Sequence, residues 1–112
     1  MPTFQDIKSD LNKINQKSKK LAMMSREEIF DLLAEITFAN DKIADFIYAI
    51  DKSIAEETAT LTAANSTMSA TALRNLIKAQ TSALENDKAW ASRQSSNLKD
   101  VRISALAAQR NL

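Results

Sequence analysis

The longest regular pattern in the chain follows Glu27, where Ile29, Leu33, Ile36, Asn40, Ile43, Ile47, Ile50, Ile54 and Leu61 recur at steps of three, four or seven. That spacing lines them along one seam of a helix, whereas a strand would need alternation. Just upstream, Ser25-Arg26-Glu27-Glu28 is a start signal: the serine hydroxyl can cap the third helical amide while Glu28 reaches back to the serine amide. Met24 and Ile29 flank it as a hydrophobic staple. Carried through to Ala64, the helix would be about 57 Å long at the standard rise, which suits a coiled-coil arm or a long hairpin better than a compact ball.

Ahead of this segment, Thr3 can cap a first helix, about residues 3–24, with Phe4, Ile7, Leu11, Ile14 and Leu21 on its seam and Ser18 as the polar member. Because Ser25 opens the next helix at once, the connection must be an αα-corner or a tight hairpin. Beyond Ala64, Asn65 to Thr67 is the best place for a turn, with Ser66, Thr67 or Ser69 capping a third helix over about residues 69–110. One heptad position of that helix reads Ile77, Leu84, Ala91, Leu98 and Ala105; its partner reads Leu73, Gln80, Asp87, Gln94 and Val101, polar in the middle. Leu76, Ala83 and Trp90 form an adjoining flank on which a third helix could dock. The expected fold is all-α: an antiparallel helical hairpin or coiled coil of two long helices, about 26–64 and 69–110. The shorter first helix packs on its base, and residues 1–112 form a single elongated domain.

A reversal near residue 66 sets Leu61 against Leu73, Ile50 against Leu84, Ile43 against Ala91, Ile36 against Leu98 and Ile29 against Ala105. The same register sets Ile54 beside Gln80 and Ile47 beside Asp87, which argues against a dry seam there. It also sets Asn40 beside Gln94, a candidate register pair, since a buried amide pair would penalise any slip. The plainer reading, preferred here, leaves both amides at the seam's edge in water.

Composition narrows the chemistry. The chain has no glycine, one proline at position 2, no cysteine and no histidine. Disulfides and thiolate metal sites are therefore excluded, and the commonest metal ligand and neutral-pH base is missing. No catalytic triad or glycine-rich phosphate loop can be drawn, so the expectation is a protein that is not an enzyme and binds no cofactor, metal or small-molecule substrate. The carboxylates Glu28, Asp31 and Glu35 on neighbouring turns read as a solvated acidic face. No apolar run is long enough to span a bilayer and no signal core follows the N-terminus, so a cytoplasmic location is expected, with signal-less export left open.

The net charge of +1 hides three blocks. Residues 1–26 carry six cations against Asp6 and Asp10, or +4; residues 27–57 carry nine carboxylates against Lys42 and Lys52, or −7; the remainder carries seven cations against Glu85, Asp87 and Asp100, or +4. An acidic middle helix between two basic ones favours three antiparallel neighbours, through register more than through stability.

These features point to a non-enzymatic protein–protein interaction module acting through helix-face packing: an adaptor, inhibitor, chaperone-like binder or assembly subunit. Fold-level analogy alone adds that phages and bacterial systems encode small proteins of this build. The half of the hairpin from Ile50 to Leu84 is expected to be only two helices thick, so Ile50, Ile54, Leu61, Leu73, Ile77 and Leu84 are candidate interaction residues for a protein partner or a second copy. Phe38 joins them because it points away from the seam. Trp90 is expected to pack under the first helix. A structural subunit of a homo-oligomeric ring or filament is the first alternative. The second is nucleic-acid backbone binding through Lys13, Lys17, Lys19 and Lys20 and a C-terminal patch of Arg93, Lys99, Arg102 and Arg110, opposed by the neighbouring acidic helix.

Overall fold

A computed structural model describes residues 3–112 of the chain. Three α-helices follow one another, α1 over Phe4–Ser18, α2 over Arg26–Ala64 and α3 over Ala70–Arg110, with a single 3-10 turn over Leu21–Met23 between the first two. The two long helices pack against each other as a hairpin and α1 lies across its base. The molecule measures 66 × 23 × 17 Å. Its radius of gyration of 19.2 Å compares with roughly 13 Å for a compact domain of about this length, so the shape is a rod.

Local chemistry sets each boundary. Thr3 and Ser25 both form reciprocal capping boxes: the Asp6 and Glu28 amides donate to the threonine and serine hydroxyls at 3.2 Å, and the Asp6 and Glu28 carboxylates accept from the cap amides at 3.0 Å. Ser69 caps α3 alone, accepting from the Ala72 amide at 3.2 Å, because alanine at the third helical position has no group to reach back. The turn between the long helices falls where expected, and Asn65 ends α2 with its amide and its side-chain Nδ2 both donating to the Leu61 carbonyl. No described residue takes a positive φ, so asparagine serves here as a capping donor and not for left-handed geometry.

The first helix is shorter than expected, ending at Ser18 instead of near Met24. Between Ile14 and Leu21 the chain offers only polar and charged residues, so nothing buries to extend the helix, and the Ser18 hydroxyl donates to the Asn15 carbonyl at 2.8 Å. The 3-10 turn then reverses the chain and delivers Met24 into the core beside Ile29. The outcome is a tight hairpin. Asp10 pairs with Lys42 at 2.7 Å and Lys17 with Glu35, which sets α1 antiparallel to α2.

The core lies in this three-helix base: Ile7, Leu11 and Ile14 from α1 meet Ile29, Leu32, Ile36, Ala39 and Ile43 from α2 and Ala91, Leu98 and Ala105 from α3. Leu32 and Ala39 stand outside the expected seam yet are buried, because α2 has two neighbours here and needs a wider apolar face than a two-stranded seam. Small alanines on α3 sit among the isoleucines and leucines, which lets the helices approach closely.

One expectation about α3 is corrected. Gln80 and Asp87 are exposed, so they do not face Ile54 and Ile47 in the seam, and the buried residue is Thr81, only 4% exposed. A strict seven-residue row drifts about 20° per heptad on a straight helix. The row through Gln80, Asp87, Gln94, Val101 and Ala108 thus runs along the flank that α1 covers, and its lower members Val101 and Ala108 do pack on the core. Past the start of α1 at Phe4 no helix among the described residues covers that flank, and there the row is polar. Thr81 can be buried because its hydroxyl donates to the Ile77 carbonyl at 2.8 Å.

Candidate functional site

The arm from Ile50 to Leu84 is built of two helices only. Ile50 is buried there, whereas Ile54, Leu61, Leu73, Ile77 and Leu84 are each only half-buried. They share the seam between α2 and α3, so six of the candidate interaction residues are brought together. Helix periodicity alone accounts for this, since each apolar side chain meets its counterpart across the seam while its flanks face water. Asp51 and Lys88 bridge the mouth of the arm at 2.7 Å, and hydrogen bonding to the Asp51 carboxylate, then its charge, raises the Lys88 pKa above the usual value. A shallow groove along α3, lined by Arg74, Ile77, Lys78, Thr81 and Glu85, opens beside the seam.

Phe38 lies apart from this cluster, on the base, and is 65% exposed. Its ring flanks an open groove between α1 and α2 with Lys13, Ile14, Glu35 and Lys42, and the Lys42 ammonium stands 5.3 Å from the ring centroid. Two further aromatics that the sequence reading did not single out are as open: Phe30 at 66% and Tyr48 at 73%. The signal for them was present, because both fall about 120° around α2 from Ile36, clear of the seam, once the 3.6-residue period is counted.

Asn40 and Gln94 are both half-buried at the edge of the α2–α3 seam, but no hydrogen bond joins them. The Asn40 Oδ1 atom is buried with no partner among the described residues. It borders a polar groove with Ser92, Ser95, Ser96, Lys99 and Arg102.

Of the four candidate N-terminal lysines only Lys17 is held in an ion pair among the described residues, by Glu35; Lys13 lines a groove with Asp10 and Glu35, Lys20 shares one with Glu28 and Asp31, and Lys19 is exposed in the turn. Glu28 in turn is engaged by its capping box, and its bonds with Ser25, the backbone one first, hold its carboxyl below the usual value. Among the described residues no group of three or more acidic side chains converges as metal ligands would, and no helix is long and apolar enough to cross a membrane.

Compared with protein-family models, curated proteins and solved structures, the chain matches none.

Proposed function

We propose that the chain is a non-enzymatic protein–protein interaction module that works by packing its two-helix arm against helices of another molecule, either a partner protein or a second copy. The observation that carries this reading is the incomplete burial of Ile54, Leu61, Leu73, Ile77 and Leu84 along a seam with no third helix over it among the described residues. Full burial of a Leu or Ile side chain is worth about 1.5–3 kcal/mol, so each of these residues, no more than about a third exposed, has up to about a third of that still to gain from a partner. The base needs no such help, since α1 already covers it. Nucleic-acid binding is the weaker reading, because Lys17 is paired with Glu35 and Lys13 and Lys20 share grooves with carboxylates.

Light scattering across a concentration series and photo-crosslinking from positions Leu61 and Ile77 in the native host test the proposal together. Expected are either a discrete oligomer whose contacts map to the arm or a specific crosslinked protein, with Ile77→Glu abolishing both. A chain that stays monomeric and crosslinks nothing from the arm overturns it. Growth of mass without limit would instead indicate a filament subunit.

A further inference from the structure

A second surface is left without a neighbour, and its composition points to a particular kind of partner. On the side of α2 turned from the seam, Glu27, Asp31, Phe38, Asp41, Asp45 and Tyr48 follow at steps of three, four or seven, and all six are exposed. They form a second heptad-spaced stripe about 31 Å long at 1.5 Å per residue. Its order is acidic pair, ring, acidic pair, ring.

The fold explains only part of this stripe: Glu27 sits in the first turn of α2, where a carboxylate favours the helix dipole, and Asp31 lines a groove with Lys17 and Lys20, whereas Asp41 and Asp45 join no ion pair among the described residues. Glu27 with Asp31 and Asp41 with Asp45 are like charges four residues apart, which weakens a helix. Phe38 and Tyr48 are large exposed aromatics on the same stretch of α2 whose other side carries buried Ile36, Ala39 and Ile43. The ring of Phe38 already attracts a cation: the Lys42 ammonium, itself held by Asp10 at 2.7 Å, stands 5.3 Å from its centroid. Because Asp10 draws that lysine toward α1, the outer side of the stripe stays open.

We propose that this stripe docks an amphipathic, cationic helix of a partner protein. Arginine or lysine side chains would face the two carboxylate pairs, and apolar side chains and cation stems would pack on the rings of Phe38 and Tyr48 that flank the second pair. The charge of the stripe makes this assignment: it repels nucleic acid and anionic membranes and attracts a basic segment. The stripe ends at Tyr48, where the arm begins, but lies on the side of α2 turned from the seam residues of the arm, so this docking and the role given to the arm can fail separately.

The test is a nuclear magnetic resonance titration of the isotope-labelled full chain with a synthetic amphipathic peptide of about 20 residues, enough to cover the stripe. The peptide carries arginine pairs four residues apart with leucine between them; a control carries glutamate in place of each arginine. Expected are saturable shifts confined to α2 residues 27–48 and an affinity that weakens about tenfold between about 0.05 and 0.3 M salt. Asp41→Lys with Asp45→Lys should abolish binding and Phe38→Ser should weaken it about tenfold, with unchanged helicity and melting temperature, since these side chains are exposed. The proposal is overturned by the absence of saturable shifts, by equal binding of the glutamate control, by shifts centred on the arm or α3, by indifference to the substitutions, or by self-association of the chain through this stripe.

Discussion

The rings of Phe4 and Trp90 meet with centroids 4.3 Å apart and planes inclined at 38°, at the first residue of α1. That contact marks where the three-helix base gives way to the two-helix arm, because no further turn of α1 extends toward the tip. Trp90 is half-buried there, joined to the core through its flank. Replacing Trp90 by alanine is expected to cost about 2–3 kcal/mol and Phe4 by alanine about 1 kcal/mol, with a coupling of about 0.5–1.5 kcal/mol between them in a double-mutant cycle. Urea denaturation followed by circular dichroism gives all three values. Additive losses would show that α1 is not anchored through this pair.

The exposure of Gln80 and burial of Thr81 make a sharp contrast between neighbours. Thr81→Lys should destabilise the protein by about 2–3 kcal/mol by placing a charge in the seam, whereas Gln80→Lys should stay within about 0.5 kcal/mol. Thermal melts of the two variants check this. Equal effects would mean that the α3 seam runs through position 80 after all.

Asn40 presents a buried oxygen without a partner. Removing such a group relieves a desolvation penalty, so Asn40→Leu is expected to raise stability by about 1 kcal/mol while leaving oligomeric state unchanged. A lower melting temperature, or a change of register detected by cysteine crosslinking between α2 and α3, would show that the amide fixes the alignment of the long helices.

Two capping carboxylates contribute to the acid limb of stability. Bonds with the Thr3 and Ser25 caps, the backbone amide first and the hydroxyl second, hold Asp6 below its usual 3.8 and Glu28 below its usual 4.5. Because the unfolded chain binds these protons more readily, the stability they add is complete above the usual values and is lost as pH falls through the lowered ones. Melting temperature should therefore drop below about pH 4, and Asp6→Asn combined with Glu28→Gln should flatten that drop. At the alkaline end the sign reverses: the contribution of Lys88, raised by Asp51, is complete below 10.5 and disappears above it. An acid limb identical in the double variant would remove the caps from this account.

Much of the backbone was legible in the residues themselves. Thr3-x-x-Asp6 and Ser25-x-x-Glu28 announce helix starts by local chemistry, and Asn65 with Ser69 announces the turn in the same way. Local signals of this kind need no knowledge of neighbours. What depends on neighbours was harder: the heptad row through Gln80 and Asp87 looked like a wet patch in the α2–α3 seam, and only the position of Phe4 shows that it is the flank α1 leaves uncovered. The length of α1 was misjudged because Leu21 falls on its seam by spacing, although a 3-10 turn, not a helix, delivers it. For the arm, the apolar residues were legible from spacing, and Phe38 from its angle to the seam. Phe30 and Tyr48 show in the sequence only as an angle to the seam, and Asp31 reads in it only as part of a solvated acidic face with Glu28 and Glu35, because its grouping with Phe38, Asp41 and Asp45 depends on which side of α2 the neighbours leave open.

The most direct test of the account is hydrogen–deuterium exchange on the dilute protein, with light scattering confirming a monomer. A two-helix arm attached to a three-helix base should exchange its amides over residues 50–84 about a hundredfold faster than those of the base, through opening that does not unfold the whole chain. Raising the concentration, or adding the partner identified by crosslinking, should slow the arm selectively. A monomer in which arm and base are equally protected would contradict the claim that the arm is left incomplete for another molecule to finish.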